Sequence, residues 1–183
     1  MNNPTTVDEL FALYESKGSA HYGEGITQNE HALQCAALAR FDGVSDALVV
    51  AALFHDVGHL VRDVHDDAQF DMSDDDDQHE ALGARVLAPI FGPTVAQPVA
   101  LHVTAKRWLC ARKPEYHAHL SEASKATLIA QGGPLDDEGC QRFEAHPGFH
   151  DAVALRTWDD AGKVESLGVG VLRDWELLVR SLV

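Results

Sequence analysis

The stretch Ala51-Ala52-Leu53-Phe54-His55-Asp56-Val57-Gly58-His59 constrains the fold more than any other part of the chain. An apolar run of helical character ends in an adjacent His-Asp pair, followed at once by a glycine and a second histidine. A carboxylate at the end of such a run is costly to bury unless it is paired or bound to a metal. Neighbouring side chains on a helix diverge by about 100°. The pair can therefore reach two sides of one ion, or the carboxylate can extend to a second. A fold for this chain has to bring distant polar groups to residues 55 and 56.

Almost every other segment reads as helix. Thr6 is placed to cap a helix over Val7–Lys17, with Asp8 and Glu9 in its first turn and Gly18 past its end. Thr27-Gln28-Asn29-Glu30 has the capping-box pattern and opens a helix over Gln28–Arg40, after a glycine-containing loop from Ser19 to Ile26. A third helix starts at Ser45 or Asp46 and ends near His55-Asp56, where Gly58 lets the chain turn. Leu60–Asp77 is dominated by aspartate and reads as a surface loop. Further helices are expected over Gln78–Phe91, Val95–Cys110, Ser121–Ala130, Asp136–Ala145, Phe149–Ala161 and Gly168–Leu182. The last should pack through Val171, Trp175 and Leu178. There is no useful strand alternation, no repeat and no linker-like shift in composition. The expectation is one all-α domain spanning residues 1–183.

Charge narrows the partners. The net charge of −15 disfavours nucleic acid or an anionic membrane as the main partner, since both need a basic surface. A small anionic substrate remains compatible, because it responds to local charge. No apolar stretch approaches the ~18–20 residues of a membrane-spanning helix. The N-terminus lacks signal-peptide character, and Cys35, Cys110 and Cys140 form no paired pattern. These features point to a cytoplasmic protein with reduced thiols.

The helices carry a set of potential ligands: His31, His55, Asp56, His79, His102 and Asp159. Taken alone, any one of these histidines reads as a packed helix residue. The order His…His-Asp…Asp, running from His31 to Asp159, resembles the HD-domain superfamily and implies a helical bundle around a metal. One ion needs four such groups and six are present. Two ions sharing Asp56 use them all: His31, His55, Asp56 and Asp159 on the first, and Asp56, His79 and His102 on the second. Nitrogen and oxygen ligands with open positions and no thiolate suit iron or manganese.

The flanking residues carry a closer resemblance. Gln28–Ala36, Leu53–His59, Leu101–Arg107, Gln131-Gly132-Gly133 and Arg156-Thr157-Trp158-Asp159 resemble motifs of the mixed-valent diiron HD oxygenases that cleave phosphonates, which are related to inositol oxygenase. The resemblance implies an Fe(II)/Fe(III) pair and O₂ as co-substrate. The implied substrate is a 1-hydroxy-2-aminoethylphosphonate or its trimethylammonio analogue, cleaved to phosphate plus glycine or glycine betaine. His59, Lys106, Ser124 and Gln131 match the family's phosphonate-binding positions, with Arg156 in support. Ser124 and Gln131 also have plainer readings, as a packing residue and a helix end. Asp56, Lys106, His59 and Glu24 are the residues expected to take part in the chemistry. Family members acting on the free amine carry Tyr three residues before the loop Glu. Here Glu24 is retained, but His21 stands at that position and Tyr22 follows it. With Tyr22 and Glu24 able to meet a quaternary ammonium, the reading leans to the trimethylammonio substrate.

Two rivals stand beside this reading, and the first would use the same first ion. A metal-dependent HD phosphohydrolase of a nucleotide or phosphomonoester would use a metal-activated water. A catalytically silent nucleotide-binding module would have no use for six costly polar groups in its core.

Overall fold

The computed structural model describes residues 3–22, 25–61 and 78–183. Eleven α-helices are formed among these residues: α1 (Val7–Lys17), α2 (Gln28–Phe41), α3 (Asp46–Phe54), α4 (Val57–Val61), α5 (His79–Phe91), α6 (Pro93–Arg112), α7 (Pro114–His119), α8 (Glu122–Ala130), α9 (Asp137–Glu144), α10 (Phe149–Ala161) and α11 (Glu176–Arg180). The fold is all-α, as the periodicity predicts. An isolated antiparallel bridge joins His21 to Thr27 and closes the loop before α2. None of the described helices is long and apolar enough to cross a membrane.

The local signals act where they were read. The Thr6 side chain accepts from the Glu9 amide. Thr27 and Glu30 form the reciprocal capping box, with Thr27 N donating to Glu30 Oε2 at 2.7 Å and Glu30 N donating to Thr27 Oγ1 at 3.2 Å. Ser45 accepts from Leu48 N. These caps satisfy amides that a helix N-terminus otherwise leaves without partners.

α3 is the central element, with Leu48 through Phe54 all buried. α2, α6 and α10 pack around it, and α5 packs against α6. The main core joins Leu10 and Tyr14 of α1, Ala36 of α2, Phe54 of α3 and Leu87 of α5 with Leu155 of α10. Burying large apolar side chains of this kind contributes about 1.5–3 kcal/mol each. The result is a helical frame whose central strut ends at His55-Asp56.

Several boundaries differ from the sequence reading. The chain does not leave the helical state at Leu60: α4 continues to Val61, and Leu60 is buried. The remainder of the expected acidic loop, residues 62–77, lies outside the described residues. α6 starts at Pro93, a first-turn position where the missing N–H has no cost. Pro98 therefore sits inside the helix, and the carbonyl it leaves unbonded belongs to the exposed Thr94. Pro114 opens the short helix α7 as well as ending α6. The expected helix over Gly168–Leu182 is not formed as one piece. Gly170 has φ of 91°, and the chain is extended at Val171. A 3-10 turn over Leu172–Trp175 then leads into α11. The Asp174 carboxylate accepts from Val171 N at 2.8 Å and fixes this late start. Val171 consequently faces solvent, while Leu172, Trp175 and Val179 carry the packing.

Candidate metal centre and anion pocket

Three elements converge on the first group of ligands. His31 comes from α2, His55 and Asp56 follow α3, and Asp159 comes from α10. His31 Nε2 lies 3.2 Å from His55 Nε2, 3.6 Å from Asp56 Oδ2 and 3.5 Å from Asp159 Oδ1. His55 Nε2 lies 3.4 Å from Asp56 Oδ2 and 3.9 Å from Asp159 Oδ1. Donors about 2.1 Å from one ion stand about 3.0 Å apart at right angles and about 3.4 Å apart at tetrahedral angles. These four donors have the spacing of a shared ion.

A second group forms on the other oxygen of the same carboxylate. His79 opens α5 and His102 lies in the middle of α6. Their Nε2 atoms are 3.1 Å apart, and they stand 3.6 and 3.8 Å from Asp56 Oδ1. Asp56 therefore presents Oδ2 to the first group and Oδ1 to the second, so one carboxylate can join two ions. Gly58 permits this approach. A Cβ there would lie 2.0 Å from the carbonyl oxygen of His79, so α4 and α5 could not meet.

The ring nitrogens are set for metal binding. His31 Nδ1 donates to Gly162 O at 2.8 Å, His55 Nδ1 to Ala52 O at 2.9 Å, and His102 Nδ1 to Val99 O at 2.7 Å. A carbonyl can only accept, so Nδ1 carries a proton in each ring and Nε2 is the atom turned to the centre. Burial pushes His55 down, and burial with the neighbouring His79 and His55 brings His102 down to about 3. Burial pushes Asp56 up, but the imidazoles of His55, His59 and His79 outweigh it and hold the carboxyl well below its ordinary range. Burial also opposes ionisation of Asp159, and Arg156 and Lys163 reverse that effect. Burial pushes His31 down, but Cys35 and Asp159 outweigh it and push the imidazole up, so an ion binding there would displace a proton; neutral imidazoles and ionised carboxylates are the forms that bind metal. Cys35 also lies within reach of His31 and His55. Its Sγ is 3.7–3.8 Å from both ring nitrogens of His31, which places it beside the ring, and burial pushes its thiol up. It packs as a buried, reduced thiol.

Beside the metal groups lies a cavity of about 50 Å³. A space of this kind needs about 10–15 Å³ to hold a single water. All the described residues expected to meet the substrate line it: His59, Lys106, Ser124, Gln131 and Arg156 for the phosphonate and Tyr22 for the ammonium head. The His59 ring stacks on His79 with centroids 4.0 Å apart. Lys106 Nζ donates to Thr127 Oγ1 at 2.7 Å and to Gln131 Oε1 at 3.0 Å. Burial, followed by Arg156, brings the Lys106 ammonium down to about 7. Arg156 donates from Nη1 to Asp159 Oδ2 at 2.7 Å and also holds Asp160 and Tyr116. It braces the Asp159 carboxylate from behind, in addition to facing the cavity. Tyr22 is buried and stacks on His31 at 4.0 Å. Glu24 lies outside the described residues.

Comparison with known proteins places the chain in a family. The HD-domain family matches residues 29–130. The chain is 43% identical over 175 residues to hydroxymethylphosphonate dioxygenase of Gimesia maris, an alignment covering 96% of this chain and 87% of that one. It is 40% identical over 165 residues to [1-hydroxy-2-(trimethylamino)ethyl]phosphonate dioxygenase (glycine-betaine-forming) of Leisingera caerulea, covering 89% and 83% respectively. The chain belongs to the HD-domain phosphonate dioxygenases. It is an oxygenase of the class that cleaves C–P bonds, and use of a metal and of O₂ comes with that class.

Two residues of this phosphonate dioxygenase's cavity were missed in the sequence. Thr127 accepts from Lys106, and Lys163 lines the cavity next to Asp159 and Ser124. Thr127 lies three residues past Ser124 on α8, and that helical spacing was a usable signal. Lys163 follows the end of α10 beyond Gly162, where no periodicity says which way a side chain points.

Proposed function

We propose that this enzyme uses two iron ions, one ferrous and one ferric, with O₂ to cleave the C–P bond of a 1-hydroxyphosphonate. The products are phosphate and the carboxylic acid of the remaining carbons. From 1-hydroxy-2-(trimethylammonio)ethylphosphonate that acid is glycine betaine, and from the free-amine analogue it is glycine. The four-electron oxidation of C1 matches the four-electron reduction of O₂, whose two oxygen atoms complete the carboxylate and the phosphate. The observation that carries this reading is Asp56, with one oxygen toward each histidine group, beside a cavity lined by cations. A hydrolase working from the first ion has no role for His79 and His102.

We assign His31, His55, Asp56 and Asp159 to one iron and Asp56, His79 and His102 to the other. The iron pair supplies the redox capacity and the open positions for O₂ and substrate. The protein's own residues bind and orient. Lys106 and His59 meet the phosphonate oxygens, Ser124 and Gln131 contribute hydrogen bonds, and Asp56, Lys106, His59 and Glu24 form the chemical core of the assignment. Arg156 holds Asp159 in place while facing the same anion. A phosphonate dianion raises the Lys106 affinity for its proton, so Lys106 Nζ is charged when substrate is bound. The same ammonium then stabilises the departing phosphate. Tyr22 is assigned to the substrate's head-group side of the cavity, its ring stacked on His31 with the Lys163 ammonium 5.6 Å from its centre. The whole chain acts as one catalytic HD domain, with a small phosphonate as its partner.

The deciding experiment is anaerobic loading with iron, followed by O₂ and the trimethylated or free-amine 1-hydroxyphosphonate. Phosphate release is expected only when both iron and O₂ are present. Release that needs neither would sink the oxygenase reading.

A further inference from the structure

Gly162-Lys163-Val164 leaves the end of α10 and runs back across α2. Three contacts strap it there. His31 Nδ1 donates to Gly162 O. Gln34 Nε2 donates to Val164 O at 2.8 Å, and Val164 N donates to Gln34 Oε1 at 2.9 Å. The Gln34 amide thus holds both backbone groups of one residue, and it is buried. The approach is close: a Cβ on Gly162 would lie 2.6 Å from Cys35 Sγ. A strap fixed on both sides of Lys163 leaves its side chain little choice of direction.

That direction is into the cavity. Lys163 Nζ lies 3.4 Å from Ser124 Oγ, 3.7 Å from Asp159 Oδ1 and 5.6 Å from the centre of the Tyr22 ring. Ser124 faces the same space as Lys106. The two ammonium groups therefore stand on one cavity, where Arg156 is engaged by Asp159 and Asp160. A dianion in a confined site needs more than one cation to offset its desolvation.

We propose that Lys163 is a substrate-binding residue, a third cation of the phosphonate site, and that Gln34 is the positioning residue that aims it. This rests on the phosphonate reading above and adds two residues to it. Lys163 reaches the phosphonate oxygens from the Ser124 side, with Lys106 near Thr127 and Gln131.

The test is anaerobic binding of hydroxymethylphosphonate to the iron-loaded enzyme, followed by calorimetry, with iron content measured on every variant. Loss of one charge-assisted contact should weaken binding about tenfold or more in Lys163→Met, while Lys163→Arg stays near wild type. Gln34→Met, which removes no charge, should weaken binding in the same direction with both ions retained. In turnover, Lys163→Met should raise KM more than it lowers kcat. Unchanged affinity in Lys163→Met would overturn the assignment. Loss of iron in place of loss of affinity would also overturn it, and would make Lys163 a brace for Asp159. Failure of the oxygenase reading has its own signature: wild type that binds the phosphonate but releases no phosphate with O₂.

Discussion

At the scale of single residues, Lys106 shows how burial and function share one side chain. Its ammonium is buried, is brought down to about 7, and is held by Thr127 and Gln131. In the unfolded chain it keeps its ordinary value of 10.5. Between those two values the unfolded chain binds more protons than the folded one, so this residue makes stability rise with pH across that window. Lys106→Met is therefore expected to be more stable than wild type below pH 7, with the gap closing as the pH approaches 10. Denaturant unfolding of both proteins across that range checks this. At the same scale, the six candidate ligands were picked out by their order, which resembles that of the HD domain; singly, each histidine reads as a packed helix residue. The role of Arg156 was only half legible. Spacing set it one turn from Asp159, but only coordinates show its guanidinium braced between Asp159, Asp160 and Tyr116. Lys163 was not legible at all, since its direction depends on a strap tied by Gln34, 129 positions earlier in the chain.

At the scale of elements, the contact between α4 and α5 decides whether the second ligand group exists. Gly58 lets the backbone of His79 come within a distance that no side chain allows. Gly58→Ala should push α5 away and carry His79 from Asp56, leaving the first group in place. The expected outcome is iron content falling from two toward one per chain, with helical circular dichroism retained; two irons in the variant would show that α5 is held by other contacts. Starts of helices such as α1, α2 and α3 were readable because a cap is a local event, settled by three or four residues. The C-terminal segment was misread for the complementary reason. Its apolar spacing fits a helix, but Gly170 takes a left-handed conformation and Asp174 caps a later start. The sequence pattern does not rank those local choices against the periodicity.

At the scale of the molecule, the helices divide into two suppliers. α2, α3 and α10 bring the first ligand group, while α5 and α6 bring the second. All six groups are buried, and they cost free energy wherever no ion compensates them. A ligand that binds only the folded state adds stability in proportion to the logarithm of its concentration over Kd. Chelation should therefore lower the melting temperature, and readdition of iron should restore it; an unchanged melting temperature after verified iron removal would mean that the bundle does not depend on the ions. The shared carboxylate has a further consequence, for the order of assembly. An ion on Asp56 Oδ2 would fix the orientation in which Oδ1 meets His79 and His102, and would also withdraw negative charge from that oxygen. The two affinities are then linked through a single side chain, and whatever sign that coupling takes, it acts equally in both directions. With the two ions proposed above, filling the centre would be a coupled equilibrium, with Asp56 as the group through which each site senses the other.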